Sequence, residues 1–110
     1  MAKNAKPPRI PLRVVFYYHE DQWVAHCLEF DLVGCGHSRE EALSLLTDAI
    51  AVQVDVSIDE NNPANLFRPA DGRYFEMFAR GKPTRVAHGE VTIGEIETRE
   101  FSEDNGYALA

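Results

Sequence analysis

Hydrophobic and polar positions in the chain first follow the period of strands and then that of a helix. Leu12-Arg13-Val14-Val15-Phe16-Tyr17-Tyr18 is rich in β-branched and aromatic residues, which suit a pleated, half-buried surface. The polar run His19-Glu20-Asp21-Gln22 breaks it, and Trp23-Val24-Ala25-His26-Cys27-Leu28 resumes the same character, so the two segments are expected to form a hairpin. Leu32-Val33-Gly34-Cys35-Gly36 reads as a third strand, and its two glycines point to a bulge.

The period changes at Ser38. Ser38-Arg39-Glu40-Glu41 matches a capping box, in which the Ser38 hydroxyl accepts from an orphan backbone N–H and Glu41 reaches back to the Ser38 amide. Glu40 and Glu41 also suit the positive end of the helix dipole. Ala42, Leu46, Ala49, Val52 and Val56 then recur three or four apart, as one buried face. Leu43, Ile50, Val54 and Ile58 widen that face, to be covered either by the monomer's own core or by a second subunit or partner. Val52 to Ile58 also alternates with polar residues at strand period, but no Gly, Pro or turn cluster interrupts Ser38 to Asp59, which favours one helix. Asn61-Asn62-Pro63 stops it.

Beyond a loop to Pro69, Asp71 is placed to cap a short helix containing Tyr74, Phe75, Met77 and Phe78, ended by Gly81 and Pro83. Glu90 to Phe101 reads as a final strand, with a phase slip at Gly94-Glu95 that suggests a bulge. The order β-β-β-α, short helix, β predicts an α+β fold with the long helix packed on one sheet face. It forms one domain over residues 12–101, between a flexible proline-containing arm (1–11) and a frayed tail (102–110).

Length and charge narrow the function. A chain of 110 residues suits a single hydrophobic core. The segment MAKNAKPPRIP has no apolar core of a secretory signal, and no stretch approaches the roughly 20 apolar residues that span a bilayer, so a cytoplasmic protein is expected. The formal net charge is −7. Basic residues gather at Lys3, Lys6, Arg9 and Arg13, whereas Glu90, Glu95, Glu97, Glu100, Glu103 and Asp104 stand against Arg99 alone near the other end. An acidic body repels phosphates, which makes a basic protein a better partner than a nucleic acid.

The segment Trp23-Val-Ala-His-Cys-Leu-Glu-Phe-Asp-Leu, then Gly36-His37-Ser38 and Glu41-Ala42-Leu43, resembles the HicB-like family over residues 12–59. In that family a hairpin containing Val-Ala leads to a third strand, and Gly-x-Ser/Thr-x-x-Glu-Ala opens the helix. The resemblance implies a partial ribonuclease-H-like β-β-β-α-β fold. It also implies a role as an antitoxin that blocks a small basic mRNA-cleaving toxin, HicA, without chemistry of its own. Family members often add a segment that binds operator DNA. Here residues 60–110 contain no recognisable recognition helix, so no direct DNA binding is expected. The Leu28-Glu29-Phe30-Asp31 turn is similar to that of stand-alone HicB-like proteins, so an oligomer without a toxin partner is the alternative.

Candidate chemistry is thin. Glu20, Asp21, Glu29 and Asp31 are the densest acids in the matched region, and a two-metal nuclease would need them to converge. As residues flanking strand ends they are better read as turn formers. His26, Cys27, Cys35 and His37 comprise a zinc-ligand set by type, but adjacent His26 and Cys27 point to opposite faces of a strand. Both cysteines are expected to be small buried core residues. Phe16, Tyr17, Tyr18 and Trp23 could stack single-stranded bases, yet lack interleaved Lys and Arg. The reading is a non-enzymatic, cofactor-free, self-associating domain, with Trp23, His26, Glu29, Asp31, Glu95 and Glu97 as its partner surface.

Overall fold

The first hairpin turns on two residues. In the computed structural model, which describes residues 11–84, 90–91 and 94–102, β1 (Leu12–His19) and β2 (Gln22–Cys27) pair antiparallel from Val14–Cys27 to His19–Gln22. Glu20 and Asp21 sit at φ 51° and 65°. Positive φ at both central residues gives a two-residue turn whose twist matches that of the strands. Strand β3 (Leu32–Gly36) pairs with β2 without interruption, from Trp23–Gly36 to Cys27–Leu32. The expected bulge is not there. Gly34 instead lies where the helix backbone comes closest, since a Cβ on it would land on the Ala42 carbonyl oxygen and the Leu46 nitrogen.

Helix α1 (Arg39–Asp59) runs unbroken through the ambiguous valine stretch. The Ser38 hydroxyl accepts from the Glu41 N–H at 3.0 Å, as the capping box predicts. Glu41 reaches one residue further back than expected and accepts from the His37 N–H at 2.7 Å. A 3-10 turn (Pro63–Leu66) follows. Helix α2 (Gly72–Arg80) is capped by Asp71, whose carboxylate accepts from the Arg73 N–H. Short strands β4 (Lys82–Pro83) and β5 (Glu90–Val91) precede β6 (Gly94–Glu100). The segment expected as one bulged strand is thus two, because Glu90 pairs with Glu95 and Val91 with Gly94 in antiparallel register.

The fold is α+β, built on a mixed sheet. Its strand order is β3-β2-β1-β6-β4, with β5 on another part of β6. β6 lies parallel to β1, from Leu12–Ile96 to Phe16–Glu100, so the C-terminal half completes the same sheet. Side-chain alternation splits the sheet into two faces. Leu12, Val14 and Phe16, with Ala25 and Cys27, pack against Ala42, Leu43, Leu46 and Ile50 of α1. Val15 and Leu28 on the other face pack with Met77 and Phe78 of α2 and with Phe101. The second helix therefore covers the β1 part of the face that α1 leaves open. Burying each large apolar side chain contributes roughly 1.5–3 kcal/mol, so these two layers carry much of the stability.

The buried face of α1 differs from the expected stripe. Ala42 and Leu46 are fully buried, but Val52 and Val56 are exposed, by 63% and 39%. The face actually follows Leu43, Leu46, Ile50, half-buried Val54 and buried Ser57. Cys27 is buried as expected, whereas Cys35 is exposed because α2 does not extend over β3. The flexible arm and frayed tail lie outside the described residues, apart from exposed Pro11 and half-buried Ser102.

Burial raises the Cys27 thiol from 9.0 to about 12. The folded state thus holds the proton while the unfolded chain releases it, and stability falls as pH rises from about 9 towards about 12. We expect urea midpoints to drop across that window, and Cys27→Ala to flatten the decline. A decline unchanged in the variant would assign the effect elsewhere.

Candidate functional site

Alternation along β2 sends Trp23 to the α1 side of the sheet and His26 to the α2 side. Trp23 is half-buried, with the Arg39 guanidinium 5.0 Å from its ring centre and Tyr18 edge-on at 5.4 Å. His26 is 4% exposed. Its Nε2 lies 2.7 Å from Asp31 Oδ1, and its Nδ1 lies 3.2 Å from the Tyr17 hydroxyl. A carboxylate only accepts, so Nε2 carries the proton, and in the neutral ring Nδ1 accepts from Tyr17. Tyr74 of α2 closes the cluster, its ring 4.4 Å from His26 and 5.9 Å from Tyr17. Burial, then the neighbouring Tyr74, holds the Tyr17 phenol above its usual range, so it stays protonated and serves as a donor. Asp31 takes φ 53° in the turn after β2, which the bond to His26 anchors.

The remaining acids of the expected surface differ in setting. Glu29 is bound twice by Arg13, at 2.8 Å by its N–H and at 2.7 Å by its guanidinium. That guanidinium also lies 4.8 Å from the ring centre of Phe75 in α2. Glu97 stands beside Arg13 in the β1–β6 register and accepts from Arg99 at 3.1 Å. Glu95 pairs with Glu90 through the backbone, and its side chain lies outside the described residues. The six residues therefore do not share one patch. His26, Asp31 and Glu29 line the α2 side, Trp23 faces the other way, and His26 is too deep to touch a partner directly.

The other sets are separated too. Glu20 and Asp21 occupy the first hairpin turn, at the opposite end of β2 from Glu29 and Asp31. Among the described residues no three His, Cys, Asp or Glu side chains are grouped to hold a metal ion. Phe16 is buried under α1, Tyr17 is half-buried beside Tyr74, and Tyr18 is exposed at the hairpin end, so these aromatics form no continuous platform.

The sequence reading placed Ala49, Val52 and Val56 on the buried face and did not bring out the acids beside them. Residues 40–60 contain Glu40, Glu41, Asp48, Asp55, Asp59 and Glu60 and no lysine or arginine. Glu41, Asp48 and Asp55 recur every seven residues, which aligns them along the helix. Arg39, at the start of the helix, is engaged by Glu100 of β6. Alongside the acid row runs an apolar one of Leu45 (48% exposed), Ala49, Val52 and Val56. The heptad spacing of the acids was the available signal. Among the described residues no helix is long and apolar enough to cross a membrane. Comparison of the chain with protein-family models, curated proteins and solved structures gave no match.

Proposed function

We propose that this chain is a non-catalytic, cytoplasmic protein-binding domain of the HicB antitoxin type, which neutralises a small basic mRNA-cleaving protein of the HicA kind by occluding it. The observation that carries the reading is the row of acids on α1, in a stretch of 21 residues, 40–60, without one cation. A rigid helix that presents aligned carboxylates attracts a basic surface, speeds encounter and orients it, while repelling nucleic acid directly. Occlusion needs no reactive group. The His26 cluster fits this reading, since its hydrogen bonds are spent on β1 and the β2–β3 turn and its ring packs against Tyr74 of α2.

A second reading, a stand-alone HicB-like oligomer without a toxin, draws on the edge of the sheet. β3 ends the strand order, and Leu32–Gly36 carries neither proline nor charge. Such an edge can be extended by another copy. Affinity capture of the tagged chain from its native lysate, at low and at moderate salt, separates the two. Recovery of one small basic protein, weakened by added salt, supports neutralisation by occlusion. Recovery of the chain alone, together with a sedimentation mass of a dimer or larger, supports the stand-alone oligomer and removes the toxin partner.

A further inference from the structure

We infer that the outward side of α1 is a docking face for a basic amphipathic helix, with its apolar stripe on Leu45, Ala49, Val52 and Val56 and its cations on Glu41, Asp48 and Asp55. This rests on the protein-binding reading and names the surface and the kind of element that fills it. The two rows run side by side because one recurs at steps of four, three and four and the other at steps of seven. Leu45 and Val52 are each about half exposed or more, Val56 is 39% exposed and Ala49 is half-buried between them, so the stripe reaches the surface along three turns of helix. Asp48 and Asp55 make no ion pair with a described residue. An apolar seam with charges of one sign along its flank is how a helix selects a helical partner of opposite charge.

A second copy is the wrong occupant. In an antiparallel pair about a two-fold axis the acid row would meet itself. In a parallel pair it would meet Gln53 and Glu60, because residues 40–60 supply no cation on any flank. Like charges in either arrangement oppose association, whereas lysine or arginine flanks on a different chain relieve them.

The test uses the whole chain and a fluorescein-labelled peptide of about 18 residues, a length that supports helix formation. The peptide has leucines three and four apart and lysines on both flanks. A glutamate-flanked version and a scrambled lysine version serve as controls, and anisotropy reads the affinity. The wild-type chain should bind the lysine-flanked helix at least tenfold more tightly than either control. Val52→Asp, at an exposed position, should weaken that binding about tenfold although it adds negative charge. The double variant Asp48→Lys/Asp55→Lys should shift preference to the glutamate-flanked peptide. Binding by Val52→Asp as tight as wild type, with an unchanged melting curve, would overturn the docking face, because attraction would then be charge alone. So would a wild-type dimer that Val52→Asp converts to monomer. Should Val52→Asp still capture a small basic protein from the lysate as well as wild type does, the antitoxin reading stands and the α1 docking face fails. Peptide selectivity with no protein captured by either chain leaves the docking face standing and removes the antitoxin reading.

Discussion

Replacing Gly34 by alanine is expected to destabilise the domain by about 3 kcal/mol or more, read as a lowered urea midpoint with an unchanged slope. The reason is where the methyl must go. The added carbon lands on the Ala42 carbonyl oxygen and the Leu46 nitrogen, and it lies 3.0 Å from the Leu46 Cα. These are backbone atoms in the first turns of α1, so no rotamer change relieves the clash. Relief requires lifting the helix from β3, which would loosen Ala42, Leu43 and Leu46 from the core together. Stabilities of small domains are about 5–15 kcal/mol, so the loss takes a large share. Gly36→Ala is the internal control. Its added carbon comes nearest to Glu41 side-chain atoms; the carboxylate and Cγ can swing outward at the cost of the bond to the His37 N–H, and the 2.9 Å approach to Glu41 Cβ is left for a small backbone shift to relieve. A cost for Gly34→Ala no larger than that for Gly36→Ala would show that α1 rides further from the sheet than described.

Truncating His26 to alanine is expected to cost about 2–4 kcal/mol by the same measurement. The ring fills space between Tyr17 and Tyr74 and is nearly fully buried, so its removal leaves a cavity between the sheet and α2. It also leaves the Tyr17 hydroxyl without its acceptor and frees the Asp31 turn from β2. Asp31→Ala should cost less, about 1 kcal/mol, since the Asp31 carboxylate is half exposed and largely hydrated in either state. Equal costs for the two variants would assign the effect to the turn bond and not to the packed ring. The same comparison bears on function. If His26 serves as scaffolding for the binding surface, His26→Ala lowers stability without changing peptide selectivity at temperatures where the chain remains folded.

What the sequence disclosed was what neighbouring residues decide among themselves. The His19–Gln22 break, the Ser38 and Asp71 caps and the Asn61-Asn62-Pro63 stop are local chemistry, and each appears where it was expected. The phase of α1 was not legible. Leu43-Leu46-Ile50-Val54 and Leu45-Ala49-Val52-Val56 are both spaced for one helix face, and only contact with the sheet chooses between them. Ser57 added to the ambiguity, as a polar residue on the buried side. Likewise, alternation put His26 and Cys27 on opposite faces, but nothing local indicated that α2 would arrive over His26. The exposed Cys35 follows from the same cause, because the reach of α2 across the sheet depends on the loop from Glu60 to Ala70.

The parallel pairing of β1 with β6 has a consequence for synthesis on the ribosome. The hairpin, β3 and α1 draw only on residues 12–59, so they can assemble while the later chain is still being made. β1, however, ends as an inner strand, and its second neighbour is translated last among the described elements. Until then its Leu12–Phe16 edge carries open backbone donors and acceptors beside Leu12, Val14, Val15 and Phe16, all fully buried in the finished domain, and it is there that a nascent chain would capture a stray strand or call on a chaperone.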